Sequence, residues 1–544
     1  MNLKNLLISA AALASAPLFA TTYYVTPEGA GTKDGSSWEN AFDVEAFREQ
    51  ALKNVDGDIY NLAGGTYKPS ACIIFKKATY ATINGNTDGA RTILSGDQDN
   101  NGYPTNKDLS RLLRFQTVTG NGNTSKPVKI NNVDFTSVFT NMDTDNTDDS
   151  DKTKGVGGIG ALYIDNCGYV TITGCRFYSN WADGKLGGAA VHARRSQCIF
   201  EGCTFSGNNA NYSGGAVRLS SDKPEKGNTT FLNCVFKNNT NYHDKGGAIY
   251  MSTGATLNII NTTISGNKAS AVGSAIFAES NAEDNNHPCA VRIINSTIAG
   301  NTITGDAQSG QIASTQSANI RIVNSIVVSN DEKTADFHFA GATASDKFSF
   351  VSGGYNYVGS VVDEAAPATE EAPAVRAETE TKINWQESDN FGAGCTYASI
   401  FGENKLNSDN VIVPVKYVTG ATNAQLTSAV STWNLPAGID LTTDLNGKAR
   451  PDGSMPGSFA ITEAEIPSLP TSVIETIETS ADAPRLVKKG NGIYAIEGAA
   501  EGITVYTING ATVVSTSGNT VDLSSVANGM YILRSGNATF KVMR

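Results

Sequence analysis

Asp97, Asp99 and Asn101, with Gly102 next and Asp108 further on, set oxygen-bearing side chains at alternate positions of one short loop. Oxygen ligands at that spacing wrap a hard cation and the glycine permits the sharp turn, so calcium is the cofactor such a loop would take. The loop ends on Asp108 rather than on a bidentate Glu, and a solvated turn is the alternative reading of the same residues. Asp143, Asp145, Asp148, Asp149 and Asp151 form a second acidic group inside a polar insertion from Met142 to Lys154. A different chemistry follows from Trp181, Tyr212 and Tyr242, which recur in the same loop of three successive repeats with Asp183, Lys185, His243 and Lys245 beside them. Aromatic faces stack on sugar rings while charged groups bind hydroxyls or carboxylates, so these seven residues are the candidate glycan-binding set. The alternative is single surface aromatics covering loop backbone.

Catalytic patterns are weaker. A β-elimination lyase needs a Lys or Arg base, for which Lys185, Lys245, Arg194 and Arg218 are available, and a hydrolase needs two spaced carboxylates. No spacing selects them, and no catalytic residue is assigned. His192, His243, His287 and His338 form neither a metal triad nor part of a Ser-His-Asp set. His192, Arg194, Arg218 and Tyr250 belong to one strand row, but the extra Ala190 leaves the register, and so the facing, open.

The elements that position these residues repeat. Asn180, Asn208, Asn239, Asn267, Asn301 and Asn330 close six copies of one pattern at intervals of 28 to 34 residues, as in ITGCRFYSN, FEGCTFSGN and FLNCVFKNN. A fixed period of this size, built on β-branched and aromatic residues, predicts a β-solenoid with three short parallel strands per coil. Ile172, Phe200, Phe231, Ile259, Ile293 and Ile322 are expected in one inward column, and Phe177, Phe205, Phe236, Ile264, Ile298 and Val327 in another. Gly174, Gly202, Asn233, Asn261, Asn295 and Asn324 mark a corner, where the asparagines are expected to form an amide ladder. Gly187-Gly188-Ala189, Gly214-Gly215-Ala216, Gly246-Gly247-Ala248 and Gly273-Ser274-Ala275 supply the next bend. Cys175, Cys203 and Cys234 continue as Thr262, Ser296 and Ser325, which predicts a buried ladder of small residues; a bridge between two of the cysteines is the alternative.

The preferred handedness of parallel crossovers makes such a coil a right-handed parallel β-helix. The Gly-Gly-Ala and Phe-x-x-Asn signatures resemble polymorphic outer-membrane-protein repeats, within the pectate-lyase-like β-helix class. Tyr24-Val25, Asp34 to Trp38, Asn40 to Phe42, Asp58 to Tyr60, Gly64 to Tyr67 and Thr92 to Asp97 look like the opening coils of secreted bacterial β-helix proteins. Asp444 to Pro451 resembles their Asp-x-x-Gly-x-x-Arg ending. The ending NGMYILR from Asn528, followed by FKVMR, is similar to the C-terminal sorting domain of type IX secretion cargo, which implies the type IX machinery as a partner and a Gram-negative source.

The expected organisation is all-β: a signal peptide over 1–20, a β-helix over 21–463 with a flexible insertion at 361–382, a linker over 464–485, and a small β-sandwich sorting domain over 486–544. No later apolar stretch reaches the roughly 18 residues of a membrane span, so an exported chain without a transmembrane segment is expected. A net charge of −12 with no basic block argues against nucleic acid as a partner. The functional expectation is a secreted, cell-surface β-helix acting as a non-catalytic adhesin or glycan-binding protein, with a glycan or host surface ligand. A polysaccharide lyase or glycoside hydrolase working on an extended glycan along the same face is the alternative.

Overall fold

The computed structural model describes residues 19–117, 126–140, 160–184, 186–221, 227–252, 254–280, 288–306, 309–315, 318–331, 333–340, 348–364, 383–408, 410–466, 485–490, 493–497, 502–507, 512–526, 530–536 and 538–543. The chain divides between Pro467 and Ser468 into two compact units. The expected signal peptide falls almost wholly outside the described residues, as does the Asp143 to Asp151 group.

In the first unit the described strands form parallel sheets of twelve, eleven, ten and six members, each strand pairing with its equivalent in the next coil. A middle coil runs through Val170–Thr173, Arg176–Tyr178, Trp181–Ala182 and Val191–Arg194. Three strands per coil were expected; the fourth, of only two residues, arises because the chain stays extended beyond the Asn column long enough to make one more pair with each neighbour. Alternation in Val170–Thr173 turns Val170 and Ile172 inward and the threonines outward, and Ile172, Phe200, Phe231, Ile259, Ile293 and Ile322 are in register as expected. In the second column the rings of Phe135, Phe177, Phe205 and Phe236 stack with centroids 4.8, 4.9 and 4.4 Å apart and planes within 5°. Strand spacing of about 4.8 Å matches ring stacking distance, so one lattice satisfies both backbone and side chains.

The amide ladder lies in a different column from the one expected. Asn180 Nδ2 donates to Asn208 Oδ1 at 2.9 Å, Asn208 to Asn239 at 2.9 Å, Asn239 to Asn267 at 2.8 Å and Asn267 to Asn301 at 2.8 Å. Each amide of this series also donates to a carbonyl of the preceding coil, so fully buried polar groups are satisfied. Asn330 is exposed, and Gln311 Oε1 accepts from Asn301 in its place. At the corner column Asn233, Asn261, Asn295 and Asn324 do adopt left-handed backbone, φ 48 to 54°. One rung of the expected ladder forms there, Asn324 Nδ2 donating to Asn295 Oδ1 at 2.8 Å, while Asn261 donates to the carbonyl of Thr443 and Asn295 to that of Leu441.

That contact shows where the coils stop. Asn390–Phe391 is the last strand of the parallel sheets, and much of the stretch to Ile466, expected as further coil, packs instead on their outer faces. Leu426, Val430 and Trp433 cover Leu232, Ile260, Ile294 and Val323, outward residues that would otherwise leave an apolar stripe. The Asp444-to-Arg450 motif clamps this segment: Asp444 accepts from the N–H groups of Asn446, Lys448 and Ala460, and Arg450 donates to the carbonyls of Met455 and Gly457. At the other end the helix Val44–Ala51 buries Phe47 against Tyr60 and Phe75, covering the first coil. None of the eight cysteines forms a disulfide, and Cys203 and Cys234 point their thiols at the carbonyls of Ile172 and Phe200 one coil back, as Thr262 and Ser296 do with their hydroxyls toward Phe231 and Ile259. The small-residue ladder is thus what forms. Of the insertion expected at 361–382, Val361–Glu364 is a strand paired with Phe337 to Ala340, and 365–382 lie outside the described residues.

The second unit has antiparallel sheets of three and four described strands around one core of Tyr494, Ile496, Ile503, Val505, Val521, Leu523 and Leu533. Its final hairpin pairs Met530–Ser535 with Ala538–Met543.

Candidate functional site

Asn-column residues end one strand and open the two-residue strand that carries Trp181, in register with Asn209 and Thr240 of the next coils. Beyond it the chain leaves the coil in a loop that returns at Gly214, Gly246 and Gly273, all at positive φ. Tyr242 follows Thr240–Asn241 directly, and backbone bonds place it level with Asn211 and Asp183. Tyr212 is level with His243. The three aromatics, expected in the same loop of three successive coils, occupy three different columns there, because each loop leaves its strand with a different sequence. They meet in two pairs. Tyr242 leans across the intervening coil to stack on Trp181, centroids 5.4 Å apart and planes at 24°, while Tyr212 and His243 meet at 6.2 Å. Tyr212 is 37% and Tyr242 45% exposed, so each keeps open surface toward solvent. Asp183 is held by Asn211 Nδ2 at 2.9 Å and by the Trp181 indole N–H at 3.4 Å, which fixes the platform's base.

Lys245 departs from this group. Its ammonium pairs with Glu279 at 2.8 Å and lies over the ring of Phe277, on the outer face of the ten-stranded sheet. Lys185 lies outside the described residues. The register left open by Ala190 is settled by backbone bonds: Gly188-Ala189-Ala190 is equivalent to Gly214-Gly215-Ala216, so Gly187 is the extra residue. His192, Arg218, Tyr250 and Phe277 then form one outward column, and Arg194 stands in the next. Tyr250 bonds to Glu279 through its hydroxyl; burial and that carboxylate push the phenol far above its ordinary range. Burial also acts to raise Glu279, but the Lys245 and Tyr250 hydrogen bonds outweigh it and hold the carboxyl low. Glu279 escaped the sequence reading; column alignment from Arg194 through Ser220 and Ser252 would have found it.

The expected cation loop brings Asp97, Asp99 and Asp108 together, with one carboxylate oxygen of each within 4.8 Å of the others. The donor set fits a hard cation in part. Asn101 turns its amide nitrogen to Asp99 at 3.0 Å, and its carbonyl oxygen accepts from the Tyr103 N–H. Lys68 already pairs with Asp97 at 3.1 Å. Desolvation raises the Asp97 carboxyl, yet Lys68 and the N–H groups of Gly102 and Asn101 prevail and keep it below the usual carboxylate range. Asp108 accepts the N–H groups of Gln98 and Thr105, so a turn stands ready with or without metal.

With this geometry in hand, comparison with known proteins settles the architecture. A family model described as a right-handed beta helix region matches residues 118–275 and, overlapping, 157–345. The first unit is a right-handed parallel β-helix. Among solved structures the β-helix is similar to a glycoside hydrolase (9% identity over 69% of this chain and 97% of that one, TM-score 0.36). It is also similar to a rhamnogalacturonan lyase (11% identity, 72% and 92%, TM-score 0.35) and to XylC, solved in complex with xylose (10%, 81% and 98%, TM-score 0.34). At these values the likenesses carry nothing about ligand or activity. No curated relative matches the sequence significantly. No described helix of the β-helix protein is long and apolar enough to cross a membrane.

Proposed function

We propose that this is an exported, cell-surface glycan-binding protein, an adhesin without catalytic activity, that reads its ligand along the loop edge at Trp181, Tyr212, Tyr242 and His243. The observation that carries the reading is the Trp181–Tyr242 stack with Tyr212 exposed beside it, a flat apolar platform of the kind sugar rings cover. Asp183, fixed by Asn211, supplies a hydroxyl acceptor at its base. In this reading the second unit is the type IX sorting domain, which delivers the β-helix to the outer surface of a Gram-negative cell, and residues 1–20 are the signal peptide. Affinity electrophoresis of the full chain through gels holding soluble glycans tests it. Tyr242→Ala is expected to abolish a glycan-specific retardation, and retardation unchanged by both Tyr242→Ala and Trp181→Ala would refute the platform. The rival reading, a lyase or hydrolase, draws on Lys245, Glu279 and Tyr250, which meet on the neighbouring face. Glycan cleavage lost on Lys245→Gln would replace binding by catalysis.

A further inference from the structure

Next to the aromatic platform, across the loop from Tyr242 to Lys245, the outer face of the ten-stranded sheet gathers cations on a chain whose net charge is −12. Arg218 lies between His192 and Tyr250 in one outward column, and its guanidinium sits 5.3 Å over the Tyr250 ring. That ring supports the flat face of the guanidinium and leaves its edge free to donate. Among the described residues Arg218 pairs with no carboxylate, and its Nε is buried without a hydrogen-bond partner. The nearby Glu279 is engaged by Lys245 and Tyr250 instead. His192 is fully buried; its Nε2 lies 2.9 Å from Ser220 Oγ, and among the described residues nothing meets its Nδ1. Two unmet polar nitrogens on adjacent coils of one column are unusual in a folded protein, where buried donors find acceptors.

We propose that this face binds an anionic group carried on the glycan, a carboxylate or a sulfate ester, with Arg218 as the main donor and His192 Nδ1–H and Lys245 beside it. The inference rests on the glycan-binding reading and narrows its ligand to acidic chains. In the tautomer that serves, Ser220 donates its hydroxyl proton to Nε2 and leaves Nδ1–H for the anion. Burial, reinforced by Arg218, Arg194 and Arg111, holds the imidazole well below its ordinary range, so His192 acts as a neutral donor. A planar guanidinium offers an oxyanion two parallel hydrogen bonds, which a lysine cannot.

Titration calorimetry of the full chain with oligogalacturonate, a chondroitin sulfate oligosaccharide and an uncharged cello-oligosaccharide separates the possibilities. At least one acidic probe is expected to bind more tightly than the neutral one, and to weaken as salt rises from about 10 mM to about 0.5 M. The better of the two acidic probes tells carboxylate from sulfate. Arg218→Gln is expected to weaken that probe by about tenfold or more, Arg218→Lys by less, with neutral binding unchanged. Lys245→Gln, at a partly buried position outside the core, is expected to act in the same direction, and Lys129→Gln on another sheet to have no effect. Equal binding of acidic and neutral probes, or acidic binding indifferent to both Arg218→Gln and Lys245→Gln, overturns this inference while leaving the platform standing. No binding of any probe, with no dependence on Trp181, overturns the platform and this inference together.

Discussion

Inside the coils equivalent side chains lie directly over one another; along the loop edge they do not. Phe177, Phe205 and Phe236 stack within 5° of parallel, yet Trp181, Tyr212 and Tyr242, drawn from the same three coils, stand in three columns, and only Trp181 and Tyr242 meet, by leaning. The strand lattice fixes the first set, since every inward position is bounded above and below by a hydrogen-bonded neighbour. The second set belongs to loops whose lengths and sequences vary from coil to coil, so repeat position no longer determines place. Variation from coil to coil and the proposed binding chemistry therefore share the edge, while the interior carries stability.

That contrast can be broken first at Phe205. Phe205→Ala removes one of the two inner rings of a four-ring stack and is expected to cost about 3–5 kcal/mol, read as a large fall in melting temperature; a loss no greater than for an edge residue would abolish the contrast. Next come two asparagines from one motif. Asn239→Ala strips an acceptor from the Asn208 amide and backbone N–H and a donor from the Asn267 rung, at an expected cost of about 2 kcal/mol or more. Asn330→Ala, at an exposed position, is expected to change stability by less than about 0.5 kcal/mol. Similar losses for both would remove the ladder from the account.

The outward column offers a pH test. His192 has a lowered pKa in the folded state, so the folded chain binds fewer protons than the unfolded chain, and stability from this group declines as pH falls through the ordinary imidazole range near 6.5. Asp336, raised by burial to about 6, works in the opposite sense, losing its contribution as pH rises through that value. The difference between wild type and His192→Gln isolates the imidazole: thermal stability of the variant should fall less between about pH 7 and pH 5, and parallel curves would place His192 in solvent. The smallest effect is expected at the cation loop, where Lys68 already offsets one carboxylate. Calcium in millimolar amounts is expected to raise the midpoint by about a degree or two, Lys68→Met to enlarge that response, and Asp99→Ala to remove it; an unaltered response in Asp99→Ala would put any metal elsewhere.

Much of the interior was legible because a period and a hydrophobic pattern are enough to specify a lattice: both inward columns, the left-handed corner and the small-residue cysteine ladder follow from alignment alone. The long ladder was not legible, since Asn at the corner and Asn at the strand end look alike in sequence and both are buried; only their partners differ, Asn208 meeting Asn239 and Asn261 the carbonyl of Thr443. The corner changes from Gly174 and Gly202 to Asn261 and Asn295 because the segment after Phe391 docks there, a contact 146 to 182 residues away along the chain. The same distance hid the role of Asp444 and Arg450, whose motif was visible but whose clamp was not. At the edge, the aromatic set was recognisable by composition, but Lys245 turned away because Glu279, one coil on, draws it to the other face.

Hydrogen exchange of the full chain, with and without a glycan that retains it, addresses the platform most directly. The account predicts ligand protection concentrated at 181–184, 209–213 and 240–245, absent in Tyr242→Ala, with the Phe205 and Asn239 strands unchanged. Protection confined to the twelve-stranded sheet, around the groove lined by Gln197, Asn228, Thr230 and Asn434, would contradict it.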